Sequence, residues 1–247
     1  MKRQNIKHKR QKIAVITVLC ILAAVFAAFG IYVSDYYHAD ATAVEALASD
    51  AAVTVEQVDS DTIVFSPWEP VAGLIFYPGG KVEYTAYAPL LHALAEQGML
   101  CILVRMPCNL AVLDINAADG LRENFPEIDT WYIGGHSLGG SMAASYVAKH
   151  PSEYTGLILL AAYSTEDLNE SGLQVISLYG TEDKVLNMEK YEENRSKLPV
   201  DIQEYVMEGG CHAQFGSYGA QAGDGSPAIS GERQRQLTVQ YIIEAIQ

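Results

Sequence analysis

Cysteine is scarce in this chain of 247 residues, which has four copies and no C-x-x-C pair. Structural zinc sites are built from closely spaced pairs of Cys and His ligands. Because no such spacing occurs, we expect neither a metal nor a cofactor. Low-complexity tracts are also absent, and the length suits one well-packed domain with an appendage.

Basic residues are scarce as well, with 16 Lys and Arg against 30 Asp and Glu. Six of the 16 lie in residues 1–12, so residues 34–247 hold ten bases and all 30 acids, a net charge of −20. A surface this acidic repels nucleic acid and anionic lipid headgroups. We therefore expect no nucleic-acid partner, and instead a neutral or cationic small molecule.

Charged side chains are absent from residues 13–33. As a helix at ~1.5 Å per residue this run would be about 31 Å long, enough to cross the hydrocarbon core. The basic residues before it should stay in the cytoplasm. The sequence thus predicts a single-pass protein of the cell membrane, with a basic cytoplasmic tail (1–12), a transmembrane signal-anchor helix (13–33), a tether (34–50) and an extracytoplasmic domain (51–247). A cleaved signal peptide is the alternative, although its nearest cleavage site, around residues 39–41, lies late.

Strand patterns and helix patterns alternate through the rest of the chain. After a hairpin (53–58 and 62–65), the predicted strands are 71–77, 100–104, 130–133, 156–160, 173–179 and 202–207. The predicted helices lie at 84–97, within 110–124, after Ser137, at 188–197 and at 232–246. Apolar runs joined by helices predict an α/β fold, with a mainly parallel sheet covered by helices on both faces. The loops that follow such strands meet at one edge, where ligands bind.

One motif stands out between a predicted strand and a predicted helix: Gly135-His136-Ser137-Leu138-Gly139. It matches G-x-S-x-G, in which the serine lies on a sharp turn with its hydroxyl clear of the sheet. The chain passes close to itself there, so Cβ atoms at Gly135 and Gly139 would collide. We therefore interpret Ser137 as a nucleophile, with a purely structural glycine turn as the alternative.

A serine nucleophile needs a base, and the base needs an acid that orients it. Asp183 follows the strand 173–179, and His212 follows the strand 202–207. We assign Asp183 as the acid and His212 as the base. His136 is expected to pack or hydrogen-bond beneath the site, because adjacent side chains on a tight turn point apart. The alternatives for the acid are Glu182, Glu166 and Asp167.

Two backbone N–H groups should bind the oxyanion that forms during acyl transfer. Leu138, next after the serine, is predicted to give one, and Gly80 the other, with Lys81 as second choice. The predicted substrate-binding walls, each of which is equally compatible with packing, are Met106, Asn109 and Phe215, with Pro107 and Tyr163 beside them. Cys108 and Cys211 follow strands at the same edge, so a disulfide between them is one hypothesis.

Three stretches of this sequence resemble a known family: Tyr77-Pro78-Gly79-Gly80-Lys81-Val82-Glu83, Gly134-Gly135-His136-Ser137-Leu138-Gly139-Gly140 and His212-Ala213-Gln214-Phe215-Gly216. They look like the small lidless branch of the α/β-hydrolase superfamily, α/β-hydrolase fold-5, which is related to dienelactone hydrolases. The resemblance covers about residues 70–246 and implies the fold, a Ser-His-Asp triad and hydrolysis of esters. Dienelactone hydrolases use a cysteine nucleophile, so their own reaction is not implied.

The expected function is therefore that of a membrane-anchored serine hydrolase similar to carboxylesterases. Only residues 161–172 separate two predicted strands where lipases insert a helical lid, so the site should be open and shallow, and better suited to small or extended acyl substrates than to bulk lipid. Thioesters and peptides use the same machinery and remain alternatives. A hydrolase-like binding module without turnover is the alternative from a different class.

Overall fold

The N-terminal part of the chain is built around one long helix. The computed structural model describes the backbone of residues 2–247 and the side chains of residues 12–247. Of the predicted basic tail, the side chains of residues 1–11 thus lie outside the described part. Helix α1 spans Lys2–Ser34, and its segment Lys12–Ser34 has a mean hydropathy of 2.8 with no residue buried. By length and composition this segment is long and apolar enough to cross a membrane.

Tyr37–Gln247 forms a separate compact unit around an eight-stranded sheet. The order across the sheet is β1-β2-β4-β3-β5-β6-β7-β8. Strands β1 and β2 pair antiparallel, as do β2 and β4, and the other neighbours are parallel. The strands are β1 (Val53–Gln57), β2 (Thr62–Pro67), β3 (Ala72–Tyr77), β4 (Met99–Val104), β5 (Trp131–His136), β6 (Gly156–Leu160), β7 (Gln174–Gly180) and β8 (Gln203–Met207).

Helices cover both faces of the sheet, which confirms the predicted fold class. Alternate residues of β3 divide between two cores: Leu74 and Phe76 pack in one, Ile75 and Tyr77 in the other. The first core includes side chains of α3 and α6, and the second includes side chains of α4. The helices of this unit are α2 (Ala41–Glu45), α3 (Ala88–Glu96), α4 (Leu138–Val147), α5 (Met188–Asn194) and α6 (Gly231–Ile246).

The predicted helix within residues 110–124 is wrong. That stretch contains only two short 3-10 turns, Ala111–Leu113 and Arg122–Asn124. The buried hydroxyl of Tyr77 replaces helical hydrogen bonds there, because it donates to the Ile115 carbonyl and accepts the Ala118 N–H, at 2.8 and 2.9 Å. The segment is thus fixed by a side chain of the sheet, which periodicity along the chain does not reveal.

The start of the folded unit also differs from the predicted boundary near residue 51. Tyr37 pairs with the loop after β3, since its N–H donates to the Lys81 carbonyl and its carbonyl accepts the Glu83 N–H, both at 2.8 Å. Ala43 in α2 is fully buried. Residues 37–50, predicted as part of a tether, therefore pack on the sheet domain.

The end of β3 crosses the turn between β5 and α4 at very short range. An added Cβ on Gly139 would lie deep inside van der Waals contact with the carbonyl oxygens of Tyr77 and Pro78. A Cβ on Gly135 would meet the Tyr77 carbonyl and the backbone of Gly139 in the same way. Only glycine fits at these two positions, as the motif predicted.

We predict that Gly139→Ala destabilises the domain by about 3 kcal/mol, because backbone atoms on both sides would have to move. In a domain of this size, that corresponds to a fall in Tm of about 6–10 °C. Thermal unfolding of the purified protein measures it.

Gly231→Ala is the matched control, since its Cβ would meet side chains and no backbone, the end of Arg235 at 3.0 Å and Gln214 at 3.7 Å. This variant should unfold within about 2 °C of wild type. Equal Tm values for Gly139→Ala and wild type would contradict the crowding at this crossing.

Candidate active site

Ser137 lies at the junction of β5 and α4 in a strained backbone conformation. Its φ and ψ are 53° and −122°, a region that non-glycine residues rarely adopt and that costs about 1–3 kcal/mol. The turn is held by two hydrogen bonds: the Ser137 N–H donates to the Leu160 carbonyl at 2.9 Å, and the Ser141 N–H donates to the Ser137 carbonyl at 3.1 Å. The serine therefore occupies the N-cap of α4, where the helix presents unpaired N–H groups.

His212 and Asp183 form a buried hydrogen-bonded pair at the same edge of the sheet. His212 Nδ1 lies 2.8 Å from Asp183 Oδ2, and the two side chains are 2 % and 1 % exposed. Asp183 Oδ1 accepts the N–H groups of Val185 and Leu186, both at 2.8 Å. Because both carboxylate oxygens are fixed in this way, the carboxylate is held in one orientation towards the ring.

The contact with Asp183 determines the tautomer of His212. An ionised carboxylate only accepts hydrogen bonds, so Nδ1 carries the proton and Nε2 has a free lone pair. Nε2 is buried and has no hydrogen-bond partner among the described residues. Ser137 and His212 both line one cavity of about 250 Å³. The structure thus brings the predicted nucleophile and the predicted base to the wall of the same cavity.

The backbone around His212 is fixed by Asp224, a residue from the loop before α6. Asp224 Oδ1 accepts the His212 N–H at 3.2 Å and the Gly225 N–H at 2.8 Å, and Oδ2 accepts the Ala213 N–H at 2.8 Å. Sequence reasoning identified no such role for Asp224, because nothing along the chain indicates that this loop folds back on residue 212.

The loop after β3 places Gly80 beside Leu138. A Cβ on Gly80 would lie 2.9 Å from Leu138 Cδ2, so the two backbones are neighbours. The N–H of Leu138 is at the first position of α4 and has no acceptor in the helix. The N–H of Gly80 has no partner among the described residues, whereas that of Lys81 donates to the Asn109 carbonyl at 2.8 Å. Of the two predicted donors in this loop, the geometry therefore favours Gly80 over Lys81.

His136 is buried directly beneath this site. Its Nδ1 lies 2.8 Å from the hydroxyl of Tyr87, and its ring centroid lies 4.5 Å from that of His212. Burial, together with the neighbouring His212, holds the pKa of His136 well below its ordinary value. The ring is therefore neutral at physiological pH. Tyr87 was not singled out from the sequence, because it belongs to an apolar helical stripe that looks like ordinary core.

The cavity walls differ from the predicted ones. Met106 and Phe215 are 1 % and 0 % exposed and pack in the two cores. Asn109 contacts the loop after β3, because its carbonyl accepts the Lys81 N–H. Tyr163, also considered from the sequence, does line the cavity. Besides Ser137 and His212, its other walls are Leu138, Ser141, Ala161, Ala162, Val185, Leu186 and Asn187. Residues 185–187 follow Asp183 in sequence, and the two hydrogen bonds to its carboxylate bring them to the site.

The proposed disulfide is absent, since all four cysteines are free. Cys108 is exposed, whereas Cys211 is buried and its backbone exchanges two hydrogen bonds with the Gln234 amide, at 2.8 and 2.9 Å. Burial, followed by the contact with Asp224, raises the pKa of the Cys211 thiol to about 12. This thiol stays protonated at neutral pH and acts as a small apolar side chain.

A group of potential metal ligands lies at a different place, between α3 and the segment before β1. Ligand atoms of Asp50, His92 and Glu96 lie within 4.8 Å of one another. His92 Nδ1 faces the Ala46 carbonyl at 3.0 Å, and Nε2 lies 3.1 Å from Asp50 Oδ2. We interpret this group as a surface ion pair beside Glu96, because two of its three members are exposed.

Comparison with known proteins identifies the fold of this chain. A sequence model of the alpha/beta hydrolase family matches residues 73–236. Among solved structures, a predicted CIB-like hydrolase from Thermoplasma acidophilum is similar, with a TM-score of 0.56 and 16 % identity over 78 % of this chain and 99 % of that one. TT1662 from Thermus thermophilus has a TM-score of 0.57 and 14 % identity over 79 % of this chain and 98 % of that one. Est1E from Butyrivibrio proteoclasticus has a TM-score of 0.55 and 12 % identity over 79 % and 99 %.

No curated protein matches the chain significantly. The similar structures are too distant in sequence to show more than the fold. The family match, in contrast, spans most of the sheet domain, including the turn at Ser137, the acid loop after β7 and His212. The chain belongs to the alpha/beta hydrolase family.

Proposed function

We propose that this protein is a membrane-anchored extracytoplasmic serine hydrolase that cleaves small acyl esters through an acyl-enzyme. The observation that carries the proposal is the unpaired Nε2 of His212. This ring is oriented by Asp183 at 2.8 Å and lines the same cavity as Ser137. A base with its lone pair free, lining the same cavity as a strained serine at a helix N-terminus, offers the groups that acyl transfer requires.

In the proposed reaction, Ser137 Oγ attacks the ester carbonyl carbon while its proton moves to His212 Nε2. The new C–O bond converts the carbonyl oxygen into an oxyanion, and Asp183 stabilises the imidazolium. When the tetrahedral intermediate collapses, the C–O bond to the alcohol breaks and His212 protonates the departing oxygen. Water then attacks the acyl-enzyme by the same steps, which release the carboxylic acid and return the proton to Ser137.

The proposed oxyanion site consists of the N–H groups of Leu138 and Gly80. Two features support it: the unpaired N–H at the start of α4 and the close approach of Gly80 to the Leu138 side chain. Each such donor typically contributes about 2.7–4 kcal/mol to transition-state stabilisation. The partial positive charge at the helix N-terminus adds to this effect.

The size of the cavity favours a small acyl group. Its volume is about 250 Å³, below the range of ~300–1,000 Å³ that is usual for sites of drug-sized ligands. Residues 161–173 lie between β6 and β7, and all of them are described; they contain no helix that would form a lid. Thioesters and peptides would meet the same nucleophile, and the choice of leaving group distinguishes them experimentally.

The proposed anchor is helix α1. Its segment Lys12–Ser34 is long and apolar enough to cross a membrane, and six basic residues in residues 1–12 favour a cytoplasmic N-terminus. The domain that follows has a large excess of acids, which keeps it off anionic headgroups. This arrangement holds the active site in the aqueous phase outside the membrane.

Ser137→Ala should abolish covalent labelling by a fluorophosphonate probe and lower kcat for p-nitrophenyl acetate at least about a thousandfold. Ser145→Ala is the control, because Ser145 lies on the same helix and bonds only to Glu166, at 3.1 Å. It should be labelled like wild type. Unlabelled wild type, or equal labelling of Ser137→Ala, would remove the serine hydrolase proposal.

Asp183→Asn should lower kcat about 10⁴-fold near neutral pH. The two N–H groups of Val185 and Leu186 will keep the amide oxygen, so the amide NH₂ faces His212 Nδ1. The ring then carries its proton on Nε2 and cannot accept one from Ser137. Ester hydrolysis and Tm are measured together, with Glu182→Gln as the neighbouring control; a larger loss in the control would shift the role to Glu182.

The anchor is tested by membrane fractionation. The full chain should stay in carbonate-washed membranes, and a variant that begins at residue 37 should be soluble and active, since Tyr37–Gln247 is a compact unit. The exposed thiol of Cys108 reports the orientation: a membrane-impermeant maleimide should label it in intact cells, and Cys108→Ser should abolish the label. A soluble mature protein that has lost an N-terminal tag would support the cleaved signal peptide instead.

A further inference from the structure

Behind the proposed nucleophile lies a buried pair of polar side chains that the reaction above does not use. The hydroxyl of Tyr87 and Nδ1 of His136 are 2.8 Å apart. Both residues are almost completely inaccessible to solvent, at 0 % and 1 % exposure. Burying a polar group costs free energy unless the group is hydrogen-bonded, and these two side chains bond to each other.

The direction of the hydrogen bonds follows from the number of hydrogens available. The Gly79 N–H donates to the Tyr87 hydroxyl at 3.0 Å, so the tyrosine oxygen is an acceptor there. Its single hydrogen is then free for His136 Nδ1, which must be unprotonated to accept it. We assign His136 on this basis as the neutral tautomer with its proton on Nε2, an atom that has no hydrogen-bond partner among the described residues. The resulting chain of donors runs from Gly79 through Tyr87 to His136.

This pair holds Gly79, the residue whose carbonyl shares a peptide group with the proposed Gly80 donor. On one side, the Gly79 N–H is bonded to Tyr87; on the other, the Gly79 carbonyl accepts the Val82 N–H at 3.3 Å. The loop also packs on the pair without free space, because a Cβ on Gly79 would lie 2.6 Å from the tyrosine oxygen and 2.7 Å from His136 Nδ1. Gly79 is therefore held at both its N–H and its carbonyl, and this sets the orientation of the Gly80 N–H that follows.

The same pair also contacts the segment that carries the base. The His136 ring lies 4.5 Å from the His212 ring and 5.5 Å from the Phe215 ring, between centroids. Next to Tyr87 in sequence, the Ala86 carbonyl accepts the Ser217 N–H at 2.8 Å. The loop after β3, the turn at Ser137 and the segment after β8 therefore meet at this one pair.

We infer that Tyr87 and His136 are positioning residues, which align the Gly80 N–H with the oxyanion by connecting the loop after β3 to the turn that carries Ser137. The inference rests on the proposed function and deepens it. Neither side chain touches the substrate. A neutral His136 also places no positive charge against His212 when that ring becomes an imidazolium.

Tyr87→Phe tests the inference, because it keeps the ring and removes the one oxygen that joins loop and turn. Loss of a complete oxyanion donor costs about 10²–10³ in kcat, so a misaligned donor should cost about 10- to 100-fold. KM for p-nitrophenyl acetate should stay within about twofold, since the loop acts on the transition state and not on substrate binding. Affinity for an arylboronic acid, whose adduct with serine mimics the oxyanion, should fall by the same factor as kcat/KM.

Tyr132→Phe is the matched control. Tyr132 lies on the same strand as His136, but at its opposite end, and its hydroxyl donates one hydrogen bond to Gln174 Oε1, at 2.7 Å. Its kcat and boronate affinity should equal those of wild type even if its Tm falls. The comparison of the two variants distinguishes a loss of alignment of the Gly80 N–H from a general loss of stability of the domain.

A second pair of variants tests the histidine and serves if Tyr87→Phe does not fold. An asparagine oxygen can take the place of Nδ1, so His136→Asn should retain most of kcat, whereas His136→Leu should lose about 10-fold or more. Equal kcat values for these two variants, or for Tyr87→Phe and wild type, would overturn the inference alone. A wild-type protein that neither hydrolyses esters nor reacts with fluorophosphonate would overturn the proposed function, and the inference with it.

Discussion

The structure depends on one steric constraint, the crossing of β3 with the turn between β5 and α4. The carbonyl oxygens of Tyr77 and Pro78 occupy the space that side chains at 135 and 139 would need. The chain can pass only because both residues are glycine. The same crossing forces Ser137 into its strained conformation and places the loop after β3 next to α4. The positions of the proposed nucleophile and of the proposed oxyanion donors thus follow from a single close approach.

The position of His212 depends on hydrogen bonds to two carboxylates, Asp183 and Asp224, which come from different loops. Asp183 fixes the ring of His212 and is itself fixed by the N–H groups that follow it. Asp224 fixes the backbone of residues 212 and 213. Hydrogen bonds to charged groups are among the stronger ones, and burial strengthens them further. The unpaired Nε2 of His212 is therefore held towards the cavity by groups that themselves have little freedom.

Together these contacts indicate how an open site without a lid keeps its geometry. The walls come from loops at one edge of a mainly parallel sheet, and buried hydrogen bonds connect several segments at this edge. Tyr87 and His136 stand at the centre of this arrangement, where three loops meet. The groups of the candidate site are thus positioned by contacts within the fold itself.

The fold class and the position of the candidate site were determined largely by the sequence itself. Glycines spaced around Ser137 and alternating strand and helix patterns predicted the α/β fold and its edge, because steric limits and burial act locally along the chain. The residues that line the cavity, the irregular path of residues 110–124 and the packing of residues 37–50 were decided only by tertiary contacts. Tyr77, Tyr87 and Asp224 act there through hydrogen bonds to backbone distant in sequence. A buried hydroxyl in an apolar stripe has the same local pattern whether it fills a core or orients a loop, so only the fold could distinguish the two.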